Sequence, residues 1–112
     1  RLRTAGTARI AYADNTFGEA EMAFADSNFL QVFSIPLLRG DARTALTRPN
    51  TVVITSTLSR RQFGDADPIG KTLRLKNVPT PYTVTGVMEP LPANAHFHFD
   101  FFASMSTLAA GR

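Results

Sequence analysis

Residues 51–75, TVVITSTLSRRQFGDADPIGKTLRL, read as strand, helix, tight turn and strand, and the rest of the chain is organised around them. Val52, Val53 and Ile54 are β-branched and are bounded by Pro49-Asn50 and Ser56, the pattern of a short buried strand. Thr55 or Ser56 supplies a side-chain oxygen where the first free amides of a helix need one. Arg60 and Arg61 fall in the last turn, where positive charge complements the carbonyl end of the helix dipole. Gly64 is the expected left-handed residue at the helix end. Residues 65–70 make a turn of Asp, Pro and Gly, and residues 71–76, KTLRLK, alternate polar and apolar as a half-buried strand does.

This order of elements argues against a nucleotide site. Gly70-Lys71-Thr72 matches the end of a phosphate-binding loop, but the first glycine of that motif would have to stand at Asp65. Such a loop also follows a strand and opens a helix, whose N-terminal amides hold the phosphate. Here the helix comes first, the strand comes after, and Asp65 and Asp67 repel an anion from the turn.

At 112 residues the chain is one domain in size, able to bury about two-thirds of its unfolded surface. Its apolar share of 44% and charged share of 19% are those of a globular protein. No stretch reaches the roughly 18 apolar residues of a membrane span, and the absence of cysteine removes disulfide and thiolate chemistry. The chain opens on Arg1 without an apolar leader, so it reads as a piece of a longer product. The net charge is +3, but the ten Arg and two Lys are scattered, with no run of five or more. Neither Tyr12 nor Tyr82 stands in an aromatic-basic motif, so a solvated basic face is favoured and no nucleic acid partner is expected.

Towards the N-terminus, residues 9–12 and 19–25 suit two strands of a hairpin, with Glu19 and Glu21 sharing one solvated face. Asp26, Ser27 or Asn28 caps a short helix that buries Phe29 and Phe33 on one side and stops by Ser34, before Pro36. Asp41 caps a single turn reaching Leu46. Proline-rich residues 77–81 connect the strand at 71–76 to an antiparallel partner at 82–88. Strict alternation there puts Tyr82, Val84, Gly86 and Met88 on one face and Thr83, Thr85 and Val87 on the other, with Gly86 marking a bulge or a close packing contact. In an extended stretch 96–102, His96, His98 and Asp100 share one face and Phe97, Phe99 and Phe101 the other. Two His and a carboxylate are a candidate metal set; the plainer reading is a polar face over a phenylalanine core. No catalytic constellation or cofactor motif stands out.

The run Phe63-Gly64-Asp65-Ala66-Asp67-Pro68-Ile69-Gly70-Lys71-Thr72-Leu73, followed by residues 82–87 (YTVTGV), resembles the extracytoplasmic domain of MacB/FtsX-type ABC transporter permeases. Residues 29–41 (FLQVFSIPLLRGD) and 92–100 (PANAHFHFD) resemble it as well, and the match runs in order from about residue 24 to 104. Phe63, Gly64, Asp67, Pro68, Gly70, Lys71 and Gly86 are the motif residues of this resemblance.

The fold class expected is α+β: mixed β-sheet elements with short helices packed on them. The resemblance implies either one extracytoplasmic unit over residues 1–112 or two lobes. In the second case a porter-like lobe takes 1–40 with 95–112, and a smaller inserted lobe takes 41–94. It further implies a non-catalytic transport module on the periplasmic side of a bacterial inner membrane, without a cofactor. In the whole permease a membrane helix precedes this region and three follow. The implied partners are a cytoplasmic ATPase, fused or separate, a second permease copy and a periplasmic protein. The alternative reading is a small metal-binding protein or metal-dependent enzyme using His96, His98 and Asp100.

Overall fold

The computed structural model describes residues 2–11, 17–32, 37–75, 80–89 and 100–104. The central strand lies where its β-branched run predicts: β4 (Thr51–Thr55) is buried at all five positions. The helix α2 (Ser56–Phe63) follows at once, because the Thr55 side chain accepts the Leu58 N–H at 3.1 Å and so fixes the first turn. Gly64 ends α2 with φ 65 and ψ −130, and its N–H donates to the Arg60 carbonyl. The positive φ is the one expected. The ψ is not that of the left-handed helix but of mirror-image extended backbone, a region still more particular to glycine.

Around this unit lie β1 (Leu2–Ala11), β2 (Phe17–Ala25), α1 (Phe29–Val32), β3 (Leu37–Gly40), β5 (Thr72–Leu73), β6 (Tyr82–Met88) and β7 (Phe101–Ser104). They form one mixed sheet in the order β1-β2-β7-β4-β6-β3, with β5 also paired to β6. The pairs β2–β7 and β4–β6 are parallel, and the others are antiparallel. The hairpin of β5 with β6 and the α+β class are as the sequence implies. The N-terminal hairpin forms too, but its first strand begins at Leu2 rather than at Arg9, because pairing with β2 extends it through residues that carry no strand pattern of their own. An antiparallel bridge between Ile10 and Leu75 joins the far strand β1 to the segment after β5. That end of the sheet therefore runs round a full circuit and encloses its apolar face.

Each face has its own core. Inside the circuit, Met22, Val52, Ile54, Leu73, Tyr82, Val84 and Phe101 pack with Leu58 of α2. On the other face, Ala23, Ala25, Val53, Met88 and Phe102 meet Phe29 and Leu30 of α1 and Ala45 and Leu46 of the turn after β3. The Phe29 and Phe102 rings stand 5.0 Å apart at 52°, a tilted aromatic contact. Phe33 and Ser34, expected in the first helix, lie outside the described residues.

Two expectations about side-chain direction need correction. The pairing of β4 with β6 shifts between Val52↔Val84 and Val53↔Gly86, so Thr85 is an extra residue in β6. Beyond this bulge the alternation resets. Tyr82, Val84 and Val87 belong to the enclosed core, whereas Met88 belongs to the opposite one. The second correction concerns β7, whose four residues are all fully buried. The parity that carries Asp100 continues into Phe102 and Ser104, which are covered by α1 and by the turn, so that face is not polar along the strand.

Candidate functional site

The strand β7 lies in the middle of the sheet, hydrogen-bonded to β2 on one side and β4 on the other. Asp100, immediately before it, ties all three segments together. Its N–H donates to the Glu21 carbonyl at 2.8 Å, its Oδ2 accepts the Glu21 N–H at 2.9 Å, and its carbonyl accepts the Thr55 N–H at 3.0 Å. Asp100 thus extends the ladder by one residue in both directions and locks the start of α2 to β2. At the other end of β7, the Ser104 hydroxyl donates to the Leu46 carbonyl at 2.9 Å and anchors the turn that covers the sheet.

His96 and His98 lie outside the described residues, so the proposed metal set is represented only by Asp100. One of its carboxylate oxygens is engaged by the Glu21 amide. Among the described residues no three His, Cys, Asp or Glu side chains come together as a metal cluster.

The motif loop after α2 is held by its own backbone. The Asp67 Oδ1 accepts the Ile69 N–H at 3.1 Å, and Lys71 N–H donates to the Pro68 carbonyl at 3.0 Å. Gly70 N–H then donates to the Val84 carbonyl at 2.9 Å, while Val84 N–H donates to the Lys71 carbonyl at 2.8 Å. The loop is thereby stitched to β6 at the residue before the bulge. Pro68 is buried, and Asp67 reaches Arg39 of β3 at 3.9 Å. Both partners are more than half exposed, so this ion pair adds little stability. Gly70 carries φ 87 and Gly64 φ 65, which makes both turn positions glycine-specific.

Gly86 and Gly40 explain how β3 joins β6. A Cβ at Gly86 would stand 3.2 Å from Leu37 Cδ1 and from Val53 Cγ2. A Cβ at Gly40, whose φ is 91, would overlap the Thr85 carbonyl oxygen. The Thr85 hydroxyl donates to the carbonyls of Ala45 and of Val52 (3.2 Å), so the bulged residue fastens the covering turn to β4. Sequence reading singled out Gly86 and ended a capped turn at Leu46, but it took residues 37–41 as a turn where the structure has the strand β3, and it gave no role to Thr85 or Ala45.

Two open clefts flank this region. The larger, about 510 Å³, lies between the turn at 44–49, the start of β4, the loop at Ile69-Gly70 and residues 83–85 of β6. The smaller, about 240 Å³, lies between β3, α2 and the motif loop. Neither is lined by a His or Cys among the described residues.

Among the described residues no helix is long and apolar enough to cross a membrane. No curated protein matches the chain. A domain of a permease protein from Porphyromonas gingivalis has the same fold with a TM-score of 0.80 and 29% identity, over 94% of this chain and 44% of that one. The periplasmic region of MacB from Actinobacillus actinomycetemcomitans superposes with a TM-score of 0.71 at 17% identity, covering 96% of this chain and 48% of that one. The extracellular domain of the noncanonic ABC-type transporter YknZ from Gram-positive bacteria gives 0.67 at 14% identity, covering 98% and 57%. The latter two likenesses speak to fold alone, and the chain spans about half the length of all three (44%, 48% and 57%). The sequence matches the model of the MacB-like periplasmic core domain over residues 2–112. With its mixed sheet and short helices in the same arrangement, the chain belongs to the MacB-like periplasmic core domain family, the extracytoplasmic part of MacB-like ABC transporter permeases.

Proposed function

We propose that this domain is non-catalytic and conveys ATP-driven motion of the permease's membrane helices as a rigid block, while its surface contacts cargo or partner proteins. The supporting observation is the position of β7. It is buried on both faces, paired on both edges, and tied through Asp100 to β2 and β4. A displacement applied at such a strand is passed to the whole sheet, because close-packed cores yield little under load.

The same continuity supports residues 1–112 acting as one unit rather than two lobes: β3 pairs with β6, and β7 bridges β2 and β4. In the full-length permease the proposed partners are a cytoplasmic ATPase subunit or domain, a second permease copy and a periplasmic protein. Phe63, Gly64, Asp67, Pro68, Gly70, Lys71 and Gly86 serve in this reading to shape the loop and the β3–β6 junction, not to bind a cofactor.

The test is Phe101→Ala in the intact transporter. Phe101 is fully buried, and its truncation costs about 3–5 kcal/mol. Export should fall while ATP binding persists. Normal export by a protein whose β7 amides exchange measurably faster would rule the reading out.

A further inference from the structure

We infer that the larger cleft is a binding site for a carboxylate monoanion carrying a small apolar group. This goes beyond the mechanical role and does not depend on it. The cleft's volume of about 510 Å³ falls in the range of small-ligand sites. Its lining brings one guanidinium, Arg48, together with five threonines at 44, 47, 51, 83 and 85, and with no acidic side chain. The carboxylates of the neighbouring loop are placed elsewhere. Asp67 pairs with Arg39, and Asp65 lines the smaller cleft.

Arg48 is exposed, and no carboxylate among the described residues pairs with it. The Thr51 hydroxyl donates to the Arg48 carbonyl at 2.8 Å, which fixes the Arg48 backbone against the start of β4. The hydroxyls of Thr44 and Thr83 form no hydrogen bond within the described residues, which leaves two O–H donors on residues that line the cleft together with Arg48. A planar guanidinium matches a carboxylate through two parallel N–H donors. One unpaired positive charge balances a monoanion and leaves a phosphate dianion under-compensated. Pro49 and Ile69, both exposed and the latter at 38%, supply the apolar surface for the attached group. Free organic acids and the C-terminal carboxylate of a peptide share this chemistry.

The test follows backbone amide shifts of Gly70, Thr83 and Thr85 in the full 112-residue chain. The probes are hexanoate, an acetylated Ala-Val-Leu tripeptide with a free C-terminus, the same tripeptide as its C-terminal amide, and inorganic phosphate. Saturable shifts with Kd in about the millimolar range are expected for at least one carboxylate. Arg48→Gln should weaken that binding about tenfold or more, and Thr83→Val should weaken it less. Stronger binding of the tripeptide than of hexanoate identifies a peptide end as the source, and the reverse identifies a free acid. Equal binding of acid and amide, tighter binding of phosphate, an Arg48→Gln protein that binds undiminished, or no shift with any carboxylate would each overturn the inference.

Discussion

The backbone of Gly40 crosses the carbonyl of Thr85 so closely that a Cβ at residue 40 would overlap the Thr85 oxygen and stand 2.9 Å from the Gly86 Cα. This crossing seats β3 against the bulge of β6, and the bulge in turn directs the Thr85 hydroxyl to the turn at Ala45 and to Val52. The edge strand, the bulge and the covering turn therefore form one joint.

That joint sets an order of glycine effects. Gly40→Ala meets both a positive φ of 91 and backbone atoms that cannot swing aside, so it should cost more than about 2 kcal/mol. Gly64→Ala meets a positive φ of 65, with ψ outside the left-handed helix, but open space within 4 Å, so only the backbone strain of about 1–3 kcal/mol remains, without the added clash. Urea unfolding of the two variants should rank them in that order. Equal costs would mean that β3 can shift away from β6.

Burial pushes the Tyr82 phenol above its ordinary value of 10.0. The folded state then holds its proton at a pH where the unfolded chain has released it. The associated stability is complete below the unfolded value and is lost as pH rises through the folded one. Melting temperature should therefore fall as pH rises above about 10, and Tyr82→Phe should flatten that part of the decline. An identical alkaline profile in Tyr82→Phe would show that the ring is not desolvated.

At the acid end, the Arg43 backbone N–H, donating to Asp41 Oδ1 at 2.9 Å, holds the exposed Asp41 carboxyl below its ordinary value of 3.8, with a smaller share from the Arg43 side chain. A depressed carboxylate supports the fold above its unfolded value and ceases to do so as pH falls through the folded one. In an NMR titration, Arg43→Ala should recover only part of the shift, because the backbone donor remains. Complete recovery would assign the effect to the guanidinium instead.

The segments legible in the sequence are those whose signals are local. Val52-Val53-Ile54, the Thr55 cap, the glycine end at residue 64 and the short hairpin of β5 with β6 are each set by neighbours in the chain, and local choice agrees with global fold there. The alternation in β6 was not legible beyond Val84, because the extra residue at Thr85 is shaped by the approach of Gly40, which is distant in sequence. Phe102 and Ser104 follow the polar parity of Asp100, yet they are buried, because α1 and the turn at Ala45-Leu46 cover that face. The larger cleft has no motif at all. Its walls come from three stretches far apart in sequence, 44–51, 69–70 and 83–85.

The central claim, that the domain moves as one stiff block, is tested most directly by distances between spin labels at Gln31 on α1 and Thr57 on α2. Both residues are exposed, and they lie on opposite faces of the sheet. A third label on a membrane helix of the intact transporter provides the external reference. On ATP binding, the Gln31–Thr57 distance distribution should stay unchanged while both distances to the membrane label shift together. A change in the Gln31–Thr57 distance, with either label keeping its distance to the membrane helix, would show that the sheet deforms and would contradict rigid transmission.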